Sequence, residues 1–478
     1  MLGLVGVWVG STFVLFVVSM YALAWWSRGR IESAEDFMVA GRRLGFGFTT
    51  ATVFATWFGA GTLLTASEEV REHGLHKAAL DPWGAGACLL IVGLFYARPL
   101  YRMGLLTLPD FFARRFGPRS EVVSACLMVP SYFGWIAAQF VALAGLLDVF
   151  LGLDPGYGIA LVAVVGAGYT FLGGMWSVTV TDAAQVTLLI LGLLVLSGHV
   201  LATLGDGDWA MGWARFLSES EPERLRWMPA GDEAVAAWVA AFAAGALGNV
   251  PGQDLMQRVF SARSAAVAQW GCVTAGVAYI GVGMLPLGLA LSLRVVGVEE
   301  SGLGLAVLAK NLMTPPGAVL FTVVMMSAIL STIDSAILSP ASVLSENVLR
   351  RLDLRASSLA LTRASVVVVT GVSLVFAYSG EDAYAMLEVA YELLLVALLA
   401  PLTLGLFTPW GSGASAMASM ISGTACWLLH VMLGWDLLFE PWLQPAQIWM
   451  PVGIFSAVLG VATYLAVALV VPRRTSLS

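Results

Sequence analysis

Apolar runs of about 20 residues recur from one end of this 478-residue chain to the other, and nothing else constrains its fold as much. A run of that length crosses a bilayer as a helix, because lipid offers no partner to a bare peptide group. On that basis thirteen spans fall near 3–26, 44–67, 79–101, 120–150, 156–174, 177–203, 234–256, 264–293, 316–347, 360–379, 384–407, 413–433 and 447–471. The first is too long for a signal-peptide core and follows no basic stretch, so it is expected to stay as a helix. With 59% hydrophobic and 12% charged residues, the chain reads as an all-α polytopic membrane protein. No stretch is long enough for a separate soluble domain, so residues 1–478 read as one transmembrane domain in a lipid bilayer. No basic cluster points to nucleic acid.

Basic residues set the orientation, because cytoplasmic loops collect Lys and Arg. With the N-terminus outside and the spans alternating, the inner segments hold Arg28, Arg30, Arg42, Arg43, Arg98, Arg102, Arg114, Arg115, Arg119, Arg258, Arg263, Arg350, Arg351, Arg355, Arg363, Arg473 and Arg474. The outer segments hold only Arg71, Lys77, Arg215, Arg224, Arg226, Arg294 and Lys310 of the 24 basic residues. The bias predicts an outside N-terminus and a cytoplasmic C-terminus. The longest outer loop, 205–232, carries Trp209, Trp213 and Trp227 among its charges and is expected to lie along the interface.

Two spans are interrupted in matching places. The second reads FATWFGAGTLL around Gly59 and Gly61, and the seventh reads ALGNVPGQD around Gly248, Pro251 and Gly252. Each begins a block of five spans, about 44–203 and 234–407, and an odd number gives the two blocks opposite orientations. Paired breaks in inverted repeats mark a midplane site in secondary transporters.

The ninth span carries the densest chemistry. In MSAILSTIDSAILSPASVLSE, Met326 to Glu346, residues Ala328, Ser331, Thr332 and Ser335 fall at i, i+3, i+4 and i+7, one face of a helix. A single Ser or Thr in a membrane helix usually bonds back to the preceding turn. A cluster beside Asp334 is costly in lipid unless it binds something, and hard oxygens suit a small cation. A broken helix also frees carbonyls for coordination. The expected sodium site therefore takes the carbonyls of Ala55, Phe58 and Ala328 with the hydroxyls of Ser331 and Thr332.

Asp182, in SVTVTDAAQVTLL near the inner end of the sixth span, is a second intramembrane carboxylate. With Ser331, Asp334 and Ser335 it reads as a second cation site, or a proton site if one carboxyl stays neutral. Between the two breaks, the candidate solute site takes Trp57, Gly59, Trp135, Gln139, Asn249, Gly252 and Gln253; Trp57, Trp83 and Trp135 offer aromatic faces that attract ammonium groups. Asp254 and Arg258, at i and i+4, read as a structural ion pair. Glu388 and Glu392 share a face that could meet a water-filled cavity. Cys88, Cys126, Cys272 and Cys426 read as small core residues, and His73, His76, His199 and His430 show no metal spacing.

These segments together resemble the sodium/solute symporter family from about Ala34 to Trp410. The resemblance rests on FMVAGRR (Phe37–Arg43), ATWFGAG, Arg115–Phe116–Gly117, YTFLGGMWSVTVTDAAQ (Tyr169–Gln185) and SAILSTIDSAILS. It implies a leucine-transporter-like core of two inverted five-helix repeats, with one helix before it and two after. Within the family, the chain is most similar to the high-affinity choline transporter branch, through ATWFGAG, LFYARPLYRMGLLTLPDFF, VPGQDLMQRVFSARSA and STIDSAILSPAS. That similarity puts Ala55, Phe58, Ala328, Ser331 and Thr332 in the usual sodium-site places. It puts Asp182, Asp334 and Ser335 where some members bind further sodium, and Trp57 and Trp135 in the choline cage. Where that branch has a Trp in the broken seventh span, this chain has Gly252. Losing one wall removes about 0.5–2 kcal/mol of cation–π attraction and points to a bulkier or differently charged solute.

The expected function is sodium-coupled symport of a small organic solute (choline-like, an amino acid or a carboxylate), with Na+ as the coupling ion. A monomer or weak homodimer in the cell or inner membrane is expected. A sensor would share the core, but the short tail Pro472–Ser478 argues against a fused signalling domain. A proton-coupled carrier is a further alternative, and a channel would need a continuous polar pore. No nucleophile–base pair suggests an enzyme.

Overall fold

The structure, a computed structural model, describes residues 2–298, 303–352, 356–380 and 383–471. Arg355, Arg473, Arg474 and the tail 472–478 lie outside them, as does the side chain of Arg28. The described elements are helical, and β pairing is limited to isolated bridges. Eleven helical runs among these residues are long and apolar enough to cross a membrane.

The eleven differ from the expected spans in two places. Span two is short pieces: Phe46–Trp57, a break, then Gly61–Ala66 continuing as Ser67–His73. Spans five and six form one 50-residue run, Pro155–Leu204, non-helical at Gly174 (φ 49°, ψ −153°). A straight helix of that length would measure about 75 Å, more than twice a hydrocarbon core. An added Cβ at Gly174 would stand 2.6 Å from the Phe37 carbonyl oxygen, so glycine serves both the turn and the close approach.

The remaining runs match the expected positions: span one Leu2–Arg28, three Leu75–Arg102, four Pro118–Leu151, eight Ala265–Val296 and nine Pro315–Val343 with its continuation to Leu352. Span seven is Asp232–Ala243 with Ala244–Gly248, a break, then Gln253–Ser261. Spans ten to thirteen are Ser358–Ala377, Ala383–Leu394 extending to Phe407, Gly413–Leu433 and Val452–Val470. Local chemistry sets several ends. Ser264 caps span eight through the Val267 N–H, Ser412 and Ser415 form a capping box, and Gly152, Gly297 and Gly434 close helices in the left-handed region.

Span nine lies at the centre, with nearly every described residue from Val319 to Val343 buried. It packs on spans four and six, while span eight lines the first half of span two and spans twelve and thirteen pair with each other outside the core. The two broken spans are tied together at one end, where Leu44 N donates to the Ser261 carbonyl (3.1 Å) and Arg263 N to the Leu44 carbonyl (2.8 Å). Arg42 reaches the Leu105 carbonyl at the same end, and Asn347 joins Thr107, Asp110 and Glu121 there. At the opposite end, Leu75 N donates to the Arg224 carbonyl (2.7 Å), which fastens loop 205–231 to the start of span three. The loop holds a helix, Trp209–Glu219, with Gly212 and Phe216 turned inward and Trp209 and Trp213 exposed, as an interfacial segment requires.

Two expectations need correction. Cys126 is exposed on the flank of span four rather than buried in the core. Glu388 lines a cavity of about 250 Å³ with His76, Lys77 and Trp238, but Glu392 turns away to accept from Trp427 Nε1 at 2.7 Å.

Candidate functional site

The first break frees its carbonyls in a specific way. Gly59 N, which a continuous helix would donate to Ala55, bonds the Trp57 carbonyl instead (2.8 Å). The Ala55 oxygen is left facing span nine, where Thr332 Oγ1 stands 3.4 Å away and equally 3.4 Å from the Ala328 carbonyl. These separations are too long for strong hydrogen bonds. They match the edge of an octahedron of oxygens about 2.4 Å from a central hard cation. Phe58, at the break itself, has a non-helical backbone (φ −79°, ψ 66°). The structure thus brings Ala55, Ala328 and Thr332 to one place, with Phe58 at the adjoining break.

Ser331, one residue before Thr332, turns to Asp182 and donates to its Oδ1. Thr52 of span two donates to the other oxygen at 2.5 Å. Asp182 is fully buried and joins spans two, six and nine, so it is not a solvated residue at a helix end. One turn along span nine, Asp334 is also fully buried, and its Oδ2 has no hydrogen-bond partner. Ser335 accepts from Arg258 at 2.5 Å and lies 3.4 Å from Asp334 Oδ1. The expected second-site residues therefore share a neighbourhood, with Arg258 on its Ser335 side.

Arg258 corrects the expected ion pair with Asp254. Its guanidinium reaches the Asp254 backbone carbonyl (3.1 Å), Gln257 Oε1 (3.2 Å) and Ser335, not the Asp254 carboxylate. The carboxylate instead accepts from Trp57 Nε1 and, at 2.6 Å, from the Tyr132 hydroxyl. A side chain at the second break thus grips an aromatic ring at the first. Trp135 adjoins, its ring 5.8 Å from that of Tyr132, and all four side chains are buried.

The other expected solute residues divide. Gln139 Oε1 accepts from the Ala60 N–H (3.0 Å), capping the helix that resumes after the first break. Gly59 lies against span nine, since an added Cβ would fall 2.2 Å from Thr332 Oγ1. Asn249 sits buried within the second break, its amide at the Tyr391 hydroxyl. Gly252 caps the resuming helix with its Cα facing Asp254 Oδ1. Gln253 points the other way, and its Oε1 accepts from Leu108 N (2.7 Å) in the loop at the basic end. Trp83 lies apart from this group, donating to Met284 Sδ.

Sequence reasoning missed a support behind the first break. Tyr279 of span eight donates to the Trp57 carbonyl (3.1 Å) and also contacts Thr62 (2.7 Å) and the buried Asp81, which accepts from Thr62 at 2.9–3.0 Å. The Asp81 signal was present, a carboxylate within a long apolar run. Tyr132 and Thr52 left no comparable mark, since a lone hydroxyl in a membrane helix commonly bonds its own backbone.

Comparison with known proteins fits this arrangement. The model of the sodium:solute symporter family matches residues 37–423. The high-affinity choline transporter 1 of Torpedo marmorata is 28% identical over 72% of this chain and 62% of its own length. Its human counterpart is 27% identical over 70% and 60%. The chain thus spans about three fifths of the curated relatives it matches. Among solved structures, a Na+-coupled sialic acid symporter in a substrate-bound outward-open state superposes with a TM-score of 0.80. That match covers 98% of this chain and 99% of the other at 18% identity, so it establishes the fold: the leucine-transporter-like architecture expected from the sequence. By the extent of the family match, the chain belongs to the sodium:solute symporter family.

Proposed function

We propose that this protein is a sodium-coupled symporter that carries a small organic solute across a cell membrane by alternating access. The observation that carries the reading is the meeting of a carbonyl freed by the break in span two with oxygens of span nine. Ala55 and Ala328 carbonyls converge on Thr332 Oγ1 at matched 3.4 Å separations in the buried core. Sodium takes the places of these contacts, with Ser331 and Phe58 completing the shell. Asp182, Asp334 and Ser335 form the second cation site. Solute sits between the breaks of spans two and seven, against Trp57 and Trp135.

The topology is thirteen crossings, with inverted repeats about 44–203 and 234–407, the N-terminus outside and the C-terminus in the cytoplasm. Binding sodium draws the two broken spans onto span nine, and rocking of one repeat bundle against the other then opens the opposite face. Each sodium entering with the membrane potential contributes about 2.3 kcal/mol per 100 mV, so two ions drive steeper accumulation than one. The comparisons support sodium coupling at family level.

The test is counterflow in proteoliposomes, preloaded with a solute from a screen of amines, amino acids and carboxylates. Exchange that needs sodium and falls at least about tenfold in Thr332→Ala, equivalent to 1.4 kcal/mol of lost ion binding, supports the reading. Exchange indifferent to sodium, or driven equally by a proton gradient alone, overturns it.

A further inference from the structure

We propose that Asp254 is the anion that recognises the solute, and that the solute is a small protonated amine bearing N–H donors, not a quaternary ammonium or a carboxylate. This rests on the reading of the two breaks as the solute site. Asp254 opens the helix that resumes after the second break and is 1% exposed. Its two oxygens take one hydrogen bond each, from Trp57 and Tyr132, which leaves each a further lone pair. Among the described residues, no basic group forms an ion pair with its carboxylate, because Arg258 bonds the Asp254 backbone carbonyl and Ser335 instead. A buried carboxylate without a counter-ion is costly, and a ligand cation removes that cost.

The surroundings specify the cation further. Trp57 and Tyr132 are buried against the carboxylate with Trp135 beside Tyr132, and aromatic rings attract any ammonium. The carboxylate adds a directional acceptor, and an N–H donor reaches it as a short charge-assisted bond, whereas methyl groups hold a quaternary nitrogen away. Gly252 keeps that acceptor reachable, since a Cβ there would stand 2.7 Å from Asp254 Oδ1 and 2.9 Å from the Asn249 carbonyl. Asn249, buried in the same turn with its amide at the Tyr391 hydroxyl, adds polar groups for a hydroxyl or carbonyl a few bonds from the amine.

The experiment uses the full chain in proteoliposomes with an inward sodium gradient, and measures inhibition constants for ethanolamine, choline and propionate. Thermal melting with sodium alone is measured in parallel. Ethanolamine is expected to bind at least about tenfold more tightly than choline, with propionate silent, and Asp254→Asn is expected to erase that preference while sodium still raises the melting temperature. Asp254→Glu, which keeps the charge, should recover part of the preference. Choline at least equal to ethanolamine in the native protein, or sodium-dependent binding of propionate, overturns the proposal and leaves symport standing. Stabilisation by sodium without any response to ethanolamine does the same. If sodium itself has no effect, the symporter reading fails first. Should Asp254→Asn not fold, the native-protein ranking still decides.

Discussion

At the residue scale, the two chemical jobs fall on neighbouring positions of one helix. Thr332 faces the freed carbonyls of span two, and Ser331 faces Asp182. Gly59 is the partner that permits this, because any side chain would strike the Thr332 hydroxyl. Gly59→Ala is therefore expected to cost about 1–3 kcal/mol, read as a lower melting temperature, and to blunt the sodium response. A full sodium response in that variant would show that span nine does not need this approach. Asp36, in the polar segment between spans one and two, gives a prediction in pH. Burial pushes its carboxyl up, but the Ser33 hydroxyl, Arg43 and the Glu32 N–H outweigh it and hold it below the ordinary value. The contribution is present above the unfolded pKa and lost as pH falls through the folded one. The destabilisation by Asp36→Asn should thus be full at neutral pH and fade under acid, as urea melts at both pH values would show.

The Ser/Thr stripe was legible because its spacing is helical and local. The grip of Asp254 was not. Its partners Trp57 and Tyr132 stand 197 and 122 positions away, while the tempting partner Arg258 is only four away. Sequence spacing favours near pairs, and packing decided otherwise.

At the element scale, the paired breaks do what their glycines and proline announced, but each break needs a brace that only the fold supplies. Tyr279 braces the first by adding a second hydrogen bond to the Trp57 carbonyl, and through Thr62 it shares the burial of Asp81. Tyr279→Phe should destabilise by about 1–3 kcal/mol, since it leaves buried acceptors short of a donor. A melting temperature unchanged from the native protein would remove this brace from the account. Spans five and six read as two crossings because the apolar run is too long for one, and the structure places the non-helical backbone between them at Gly174.

At the scale of the whole molecule, the basic residues gather with loop 103–110 and Asn347 at one end, and loop 205–231 closes the other. The proposed orientation puts the first end in the cytoplasm. In a background lacking the four native cysteines, Ser218→Cys should react with an impermeant thiol reagent on intact cells, and Ala356→Cys only after permeabilisation. The reverse pattern would invert the topology. The all-helical membrane class was legible from apolar length, which the bilayer imposes, and the leucine-transporter-like architecture from the resemblance of the motifs. The solute was not, because its recognition depends on which side chains meet across the two breaks.

The most direct test of the central claim is the thermal stability of the purified protein in sodium against potassium, for the native chain and for Ser331→Ala. At about 100 times the dissociation constant, a ligand of the folded state adds about 2.7 kcal/mol. The account predicts a rise in melting temperature with sodium only, and its loss in Ser331→Ala. Equal melting in the two salts, or a sodium shift that survives the substitution intact, would contradict it.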